Sequence, residues 1–316
     1  MAVVDNIKCN LMSFNVRGLN EERKRLSIFR YIKKHKVDIC MLQETFSTPE
    51  CEQKWINDWG GKVIFCHGTN RARGNMILFC DDYNYEIKEI VKDNSGRITL
   101  LKIKLQDCDY ILLNIYSPTD ERSKYIFYCE LSNFLKTHVP VQFDKLIIGG
   151  DFNLVLDYQK DRHGVNNEPS NYYFKCKRTL LDILSRYNMI DIWRQKNPQS
   201  TRYTWRRPKP PAYSRIDMWF ISDVLEDRVD KVDILSCIRS DHSPTILNFN
   251  NLETESSGSG YWKFNNLFLE EEYFLTELEN NFNLWLEDCI IFNDDRVTWE
   301  FLKYKIRQFS IKYGKD

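Results

Sequence analysis

No stretch of the 316 residues approaches the roughly 18 consecutive apolar residues of a membrane span, and no apolar leader core follows the first methionine. The sequence therefore predicts a soluble, intracellular protein with no membrane partner. Its ten cysteines include no C-x-x-C pair, which removes zinc ribbons and leaves no disulfide framework to read. Several sit inside apolar runs, as Cys40 does in Val37-Asp38-Ile39-Cys40-Met41-Leu42, and read as reduced buried thiols. There is no internal repeat and no zinc-finger spacing, and Gly149-Gly150 lacks the spacing of a dinucleotide fingerprint. Net charge is missing too, with 45 Lys+Arg against 45 Asp+Glu. That balance hides an asymmetry: seven basic and thirteen acidic residues follow Asn250, leaving about +6 on residues 1–250 and about −6 on the rest. A mildly basic body suits a polyanionic partner without demanding one.

What is present is core-forming material, 42% hydrophobic and 14% aromatic. Short apolar runs at Cys9–Asn15, Asp38–Glu44, Asn75–Cys80, Ile98–Leu105, Tyr110–Tyr116, Lys145–Gly149, Ser214–Ile221 and Pro244–Phe249 predict strands. Helical patterns at Glu22–His35, Thr48–Trp59, Ser123–His138 and Tyr172–Tyr187 alternate with them, which argues for an α/β protein. A polar, Gly/Ser-rich stretch at 251–260 reads as a linker. It divides a domain at 1–250 from an acidic, aromatic, helically patterned tail at 261–316 that is too short to fold alone.

The chemistry is written where polar residues interrupt or end these strands. Asn15, Gln43-Glu44, Tyr116, Asp151 with Asn153, Asp217 and Asp241-His242 all fall there. A strand-end Asp or Asn often only bonds the next turn, so no single position carries an argument; converging strands would bring all of them to one edge. Together they supply what phosphodiester hydrolysis needs: oxygen ligands for a hard cation, a base for water, and donors for the oxyanion.

The ordered series Ser13-Phe14-Asn15-Val16-Arg17-Gly18, Leu42-Gln43-Glu44-Thr45, Asn114-Ile115-Tyr116-Ser117-Pro118, Gly149-Gly150-Asp151-Phe152-Asn153, Ser214-Arg215-Ile216-Asp217 and Ser240-Asp241-His242-Ser243 resembles the motifs of the endonuclease/exonuclease/phosphatase superfamily. The version is similar to that of LINE-type (non-LTR) retrotransposon endonucleases, in the apurinic-endonuclease-like branch. The resemblance covers residues 8–250, and Tyr261-Trp262-Lys263-Phe264-Asn265-Asn266 is similar to the segment that leads toward reverse transcriptase in those elements. It implies a four-layer α/β sandwich of two mixed sheets packed face to face with outer helices. It also implies a Mg2+-dependent endonuclease, with Mn2+ able to substitute, that nicks one strand of duplex DNA and leaves a 3′-hydroxyl to prime reverse transcription. Carried onto this sequence, it makes Glu44 the metal ligand with Asn15 and Asp241 beside it, Asp151 the base with Asn153 positioning it, His242 a phosphate contact oriented by Asp217, and Tyr116 a contact on the phosphate or leaving-group side. Thr204 and Ser240 are expected at the phosphate. The element RNA and the reverse transcriptase region are implied partners of an isolated domain that is monomeric, and the implied place of action is the nucleus, reached as a cytoplasmic ribonucleoprotein. The rival readings are a repair-type apurinic endonuclease or exonuclease and a domesticated, non-catalytic DNA-binding module.

DNA contact beyond the cut is expected from the basic, proline-stiffened segment Trp205–Tyr213, with Arg206, Arg207, Lys209 and Tyr213 as its reading residues. The pairs Asp81-Asp82 and Asp294-Asp295 lack the context of a polymerase site and read as solvated turns. His35, His67, His138 and His163 have no ligand spacing.

Overall fold

The computed structural model describes residues 8–80, 84–164, 168–250, 264–289 and 295–314. The linker expected at 251–260, residues 261–263 of the following segment, the Asp81-Asp82 pair and Asp294 lie outside the described residues. Two six-stranded mixed sheets form the body. The first runs β14 (Val229–Ile234), β15 (Thr245–Asn250), β1 (Lys8–Asn15), β2 (Ile39–Gln43), β4 (Asn75–Phe79) and β3 (Val63–Cys66). The second runs β10 (Met189–Asp191), β13 (Asp217–Ser222), β8 (Leu146–Asp151), β7 (Cys108–Tyr116), β6 (Ile98–Leu105) and β5 (Tyr85–Lys92). One pair in each sheet is parallel, β1 with β2 and β7 with β8.

The sheets pack face to face through Leu11, Met41, Ile77, Leu112, Trp219 and Phe249, all fully buried. Helices α1 (Glu22–Lys34) and α2 (Glu52–Trp59) cover the first sheet through Ile28, Phe29 and Trp55. Helices α3 (Glu121–His138) and α4 (Asn171–Arg186) cover the second through Leu131, Leu135 and Leu180. The expected four layers are therefore present. Because β1, β2, β7 and β8 are covered on both faces, their sequences read as apolar runs and release polar groups at their ends.

Between the sheets the packing is not wholly apolar. Gln43 Nε2 donates to Ser13 Oγ (3.0 Å) on its own sheet and to Asn114 Oδ1 (2.8 Å) on the facing one, while Asn114 Nδ2 returns to Leu42 O (3.1 Å). These bonds pin the two sheets in one register directly below the strand ends, since a buried amide has a low-energy state only when paired.

The pair Gly149-Gly150 has a steric reason. A Cβ on Gly149 would lie 2.3 Å from the Trp219 ring, and one on Gly150 would lie 2.1 Å from Ile115 O. Only glycine lets β8 pass this close to its neighbours.

Two local expectations need correction. The strand read at Ser214–Ile221 is broken: β12 (Pro211–Ser214) ends before Arg215-Ile216, and β13 starts at Asp217. The stiffened loop at Trp205–Tyr213 is a hairpin of β11 (Trp205–Pro208) and β12, paired Arg206↔Tyr213 and completed by β9 (Arg162–His163) as a small third sheet. Alternation is hidden there by proline and charge, so periodicity could not reveal it. No helix among the described residues is long and apolar enough to cross a membrane, and none of the ten cysteines is in a disulfide.

After the short α5 (Ile192–Lys196), the tail contributes α6 (Glu272–Cys289) and α7 (Asp295–Tyr313). Val297, Phe301 and Leu302 are buried in the same cluster as α3 and α4, and Lys177 Nζ of α4 lies 4.6 Å from the centre of the Phe301 ring. The tail thus packs on the body. Phe301→Ala should destabilise the whole protein by about 3 kcal/mol, the cost of a large buried cavity. Denaturant unfolding followed by near-ultraviolet circular dichroism should show one transition at a lower midpoint; an unchanged midpoint would mean the tail is no part of the core.

Candidate active site

The strand registers assemble the site. Tyr116 of β7 pairs with Asp151 of β8, and Asp151 pairs with Asp217 of β13, so three polar residues form a row across the second sheet. On the first sheet Asn15 ends β1 opposite Gln43, one residue before Glu44. The loop that precedes β15 carries Asp241 and His242 to the same edge.

Asn15 joins the two halves. Its buried side chain donates from Nδ2 to Glu44 Oε1 (2.9 Å) and to Asp151 Oδ2 (2.8 Å), while Oδ1 accepts from the Arg17 amide (3.1 Å). Its nitrogen faces the carboxylates, so the geometry gives Asn15 the part of a bridge where the motif suggested a metal ligand. Asn153, held at a positive φ of 46°, donates its amide N–H to Asp151 Oδ1 (2.9 Å) and its side chain to Ser117 O (2.8 Å) and Asp151 Oδ2 (3.2 Å). Tyr116 is buried beside Glu44 and bonds to it through its phenol, and burial, then the Glu44 and Asp151 charges, push that phenol's pKa upward.

His242 is buried, with Nδ1 2.8 Å from Asp217 Oδ2 and Nε2 3.9 Å from Asp151 Oδ2. Burial by itself would lower the imidazolium pKa, but the Asp217 and Asp151 carboxylates outweigh it and raise it to about 10. Burial, then the neighbouring Asp217 charge, raises Asp151 to about 7, against the relief given by His242 and Asn15. The edge therefore holds an imidazolium that can donate from Nε2 and a carboxyl group that exchanges a proton near neutrality. Asp241 turns Oδ2 to Arg17 Nη1 (2.8 Å) and Trp205 Nε1 (3.2 Å), while its buried Oδ1 has no hydrogen-bond partner.

Two expected phosphate contacts are placed differently. Thr204 is fully buried; its hydroxyl accepts from the amides of Ile216 and Asp217, both at 3.0 Å, and so fixes the start of β13 out of reach of a substrate. Ser240 Oγ donates to Asn15 O (2.8 Å) and accepts from the His242 amide (3.2 Å), which ties the histidine loop to β1. Arg206, Arg207 and Lys209 are exposed on the hairpin, and Tyr213 stacks on Tyr203 with ring centres 5.7 Å apart. The hairpin root is tied to the histidine loop by Arg206 N to Asp241 O (3.1 Å) and Ser243 N to Thr204 O (2.6 Å).

Sequence reasoning missed the support beneath Asp217. The buried Arg215 guanidinium donates to Asp161 (Nε–Oδ1 2.7 Å, Nη2–Oδ2 2.8 Å) and to Asp191 (Nη2–Oδ2 2.6 Å). A buried cation held by two carboxylates fixes the break between β12 and β13. Arg215 stands inside the motif that contains Asp217, but its partners lie 54 and 24 residues away and nothing in the sequence marks them.

Residues 12–242 match the endonuclease/exonuclease/phosphatase family over most of the chain. The chain belongs to that family. Its named activities all break a phosphate ester, and the edge described above carries the groups for that chemistry. The chain is 28% identical over 314 residues to the "Transposon TX1 uncharacterized 149 kDa protein" of Xenopus laevis, covering 97% of this chain and 23% of that protein. It therefore spans about a quarter of that relative's length. Among solved structures it is similar to the AP endonuclease LMAP of Leishmania major (TM-score 0.62, 16% identity, covering 78% of this chain and 88% of that one). It is also similar to the endonuclease domain of TRAS1, a telomere-specific non-LTR retrotransposon (TM-score 0.56, 15% identity, 77% of this chain and 99% of that one).

Asp217→Asn should remove the main support of the His242 charge, and the His242 pKa should fall from about 10 toward its ordinary 6.5. NMR titration of the ring reads this directly; an unchanged pKa would show that the pairing does not control the imidazole.

Proposed function

We propose that this chain is the endonuclease part of a non-LTR retrotransposon protein, cutting one strand of duplex DNA with magnesium and leaving a 3′-hydroxyl that primes reverse transcription. The observation that carries the reading is the buried Asp217–His242–Asp151 array joined through Asn15 to Glu44. The TX1 likeness, which takes in the tail, favours the transposon setting over a stand-alone repair enzyme. In this reading residues 1–250 are the nuclease, 251–260 the linker and 261–316 the start of the connection toward a reverse transcriptase. That region and the element RNA are partners, and the site of action is the nucleus, entered as a ribonucleoprotein.

The donor set fits a hard divalent cation. Glu44 and Asp241 offer carboxylate oxygens, and the unpartnered Asp241 Oδ1 faces no competing donor. Asp151, Asp217 and His242 form a tighter group, with ligand atoms within 4.8 Å of one another, but Asp217 and His242 already satisfy each other. Glu44 would therefore hold the ion with Asp241 near it. A magnesium ion bound there would supply positive charge to neutralise the phosphate.

This chain's own residues do the rest. Asp151 takes the proton from the attacking water, held in place by Asn15 and Asn153. The imidazolium of His242 donates from Nε2 to a non-bridging phosphate oxygen, and Asp217 fixes the ring through Nδ1. Tyr116, bonded to Glu44 through its phenol, would contact the phosphate or the leaving group. The new phosphorus–oxygen bond forms as the bond to the 3′ oxygen breaks, and that oxygen takes a proton from solvent water to leave as a hydroxyl, with the 5′-phosphate on the other fragment. The exposed Arg206, Arg207 and Lys209 and the half-buried Tyr213 of the hairpin read the width and flexibility of the target.

A supercoiled plasmid incubated with the protein should convert to the nicked circle, and a polymerase should extend the nick without prior end repair. Asp151→Ala and His242→Ala should each lower the rate at least about a hundredfold with the fold unchanged. Near wild-type nicking by either variant would remove that residue from the mechanism, and rates far higher on an abasic duplex than on intact DNA would favour the repair reading. Chelation should stop the reaction, and magnesium or manganese should restore it better than zinc. Replacing Arg206–Ala212 with a Gly/Ser stretch of equal length should redistribute the nicks along one duplex; an unchanged map would place target choice elsewhere.

A further inference from the structure

Glu44 lines the cleft with Asp151 and His242, but it leaves the end of β2 in a backbone conformation that its own side chain disfavours. Glu44 and Phe46 both lie in the left-handed region, at φ 50° and 58°, although neither is glycine. Such residues persist only where their surroundings hold them. Main-chain bonds do part of this. Glu44 O and Thr45 O accept from the amides of Gly18 and Leu19, at 2.6 and 3.0 Å, and the amides of Thr45 and Phe46 donate to Gly74 O and Arg73 O, both at 2.9 Å. A line of side chains closes the loop from behind. The Ser47 amide donates to Thr45 Oγ1 (3.4 Å), Thr45 Oγ1 donates to Ser47 Oγ (3.1 Å), Ser47 Oγ lies 3.1 Å from His67 Nδ1, and His67 Nε2 lies 2.8 Å from Glu52 Oε1.

Glu52 accepts at Nε2, which keeps the ring proton there and leaves Nδ1 to accept from Ser47. Ser47 Oγ already accepts from Thr45, so its own proton goes to Nδ1 and the line runs in one direction. The ring is also stacked on Phe65, with centres 5.4 Å apart. One imidazole thus ties the Glu44 loop to the first turn of α2 and to the end of β3. Serine, histidine and a carboxylate in this order also describe an activated nucleophile. Ser47 is fully buried, however, and no acyl or phosphoryl group can reach its oxygen. The array acts on the loop instead. We propose that Glu52, His67 and Ser47 are positioning residues for Glu44: they hold its loop in the conformation that presents the carboxylate to the cleft, and so set the affinity of the edge for a divalent cation. This rests on the reading of Glu44 as the metal ligand.

Manganese(II) is the probe, titrated into the whole chain with the free ion read by electron paramagnetic resonance. His67→Phe keeps a ring on Phe65 and removes both nitrogens, and it should weaken manganese binding about tenfold, the usual effect of losing a support behind a ligand. Glu52→Leu, at the more exposed end of the line, should weaken it as well, whereas Glu52→Gln keeps an acceptor for Nε2 and should bind as wild type. Nicking by His67→Phe should need about tenfold more manganese for half its maximal rate yet reach the wild-type maximum, a split that general damage to the fold would not give. Wild-type affinity in His67→Phe, or equal losses in Glu52→Gln and Glu52→Leu, would overturn the relay. Should His67→Phe fail to fold, the two Glu52 variants decide alone, and equal affinities in them would overturn it. Glu44→Gln separates the relay from the reading beneath it. If that variant loses manganese while the relay variants keep it, only the relay falls; if it binds as wild type, Glu44 is no ligand and both fall.

Discussion

One carboxamide holds the site together. Asn15 gives both its N–H groups to carboxylates of different sheets, Glu44 and Asp151, at 2.9 and 2.8 Å. Two acids brought to one edge repel, and burial of Asp151 adds a desolvation cost. The amide offsets part of both without adding charge, which leaves Glu44 able to attract a cation and Asp151 able to exchange a proton near neutrality. Everything above this bridge depends on the two sheets keeping their register, and the Gln43–Asn114 bonds beneath it do that.

The ends of the central strands were legible because a strand buried on both faces has few places for a polar group. Asn15, Glu44, Tyr116, Asp151 and Asp217 stood out for that reason, and the structure brings them to one edge with His242. What pairing decides was not legible. The edge strands β3, β5 and β14 are short or half-exposed, with patterns that a surface segment shares. The hydroxyl of Thr204 looked available for a phosphate, yet its bonds to Ile216 and Asp217 depend on a chain reversal that no local spacing announces. The Arg215 clamp to Asp161 and Asp191 is hidden in the same way, by partners from two other segments.

The clamp also lies close to the tail. Tyr304 of α7 accepts from the Asp191 amide at 3.4 Å, and Arg307 pairs with Asp223 at 2.8 Å, just past the end of β13. Through α4 and these two bonds α7 is joined to the residues on either side of β13, even though it lies outside the residues matched to the family.

In the proposed reaction, water positioned by Asp151 attacks a phosphate whose 3′ oxygen leaves. Mass spectrometry of nicks made in water enriched in oxygen-18 tests that most directly. One labelled oxygen in the 5′-phosphate and none at the 3′ end is the predicted result; label on the 3′ side, or phosphate retained on Tyr116, would contradict it.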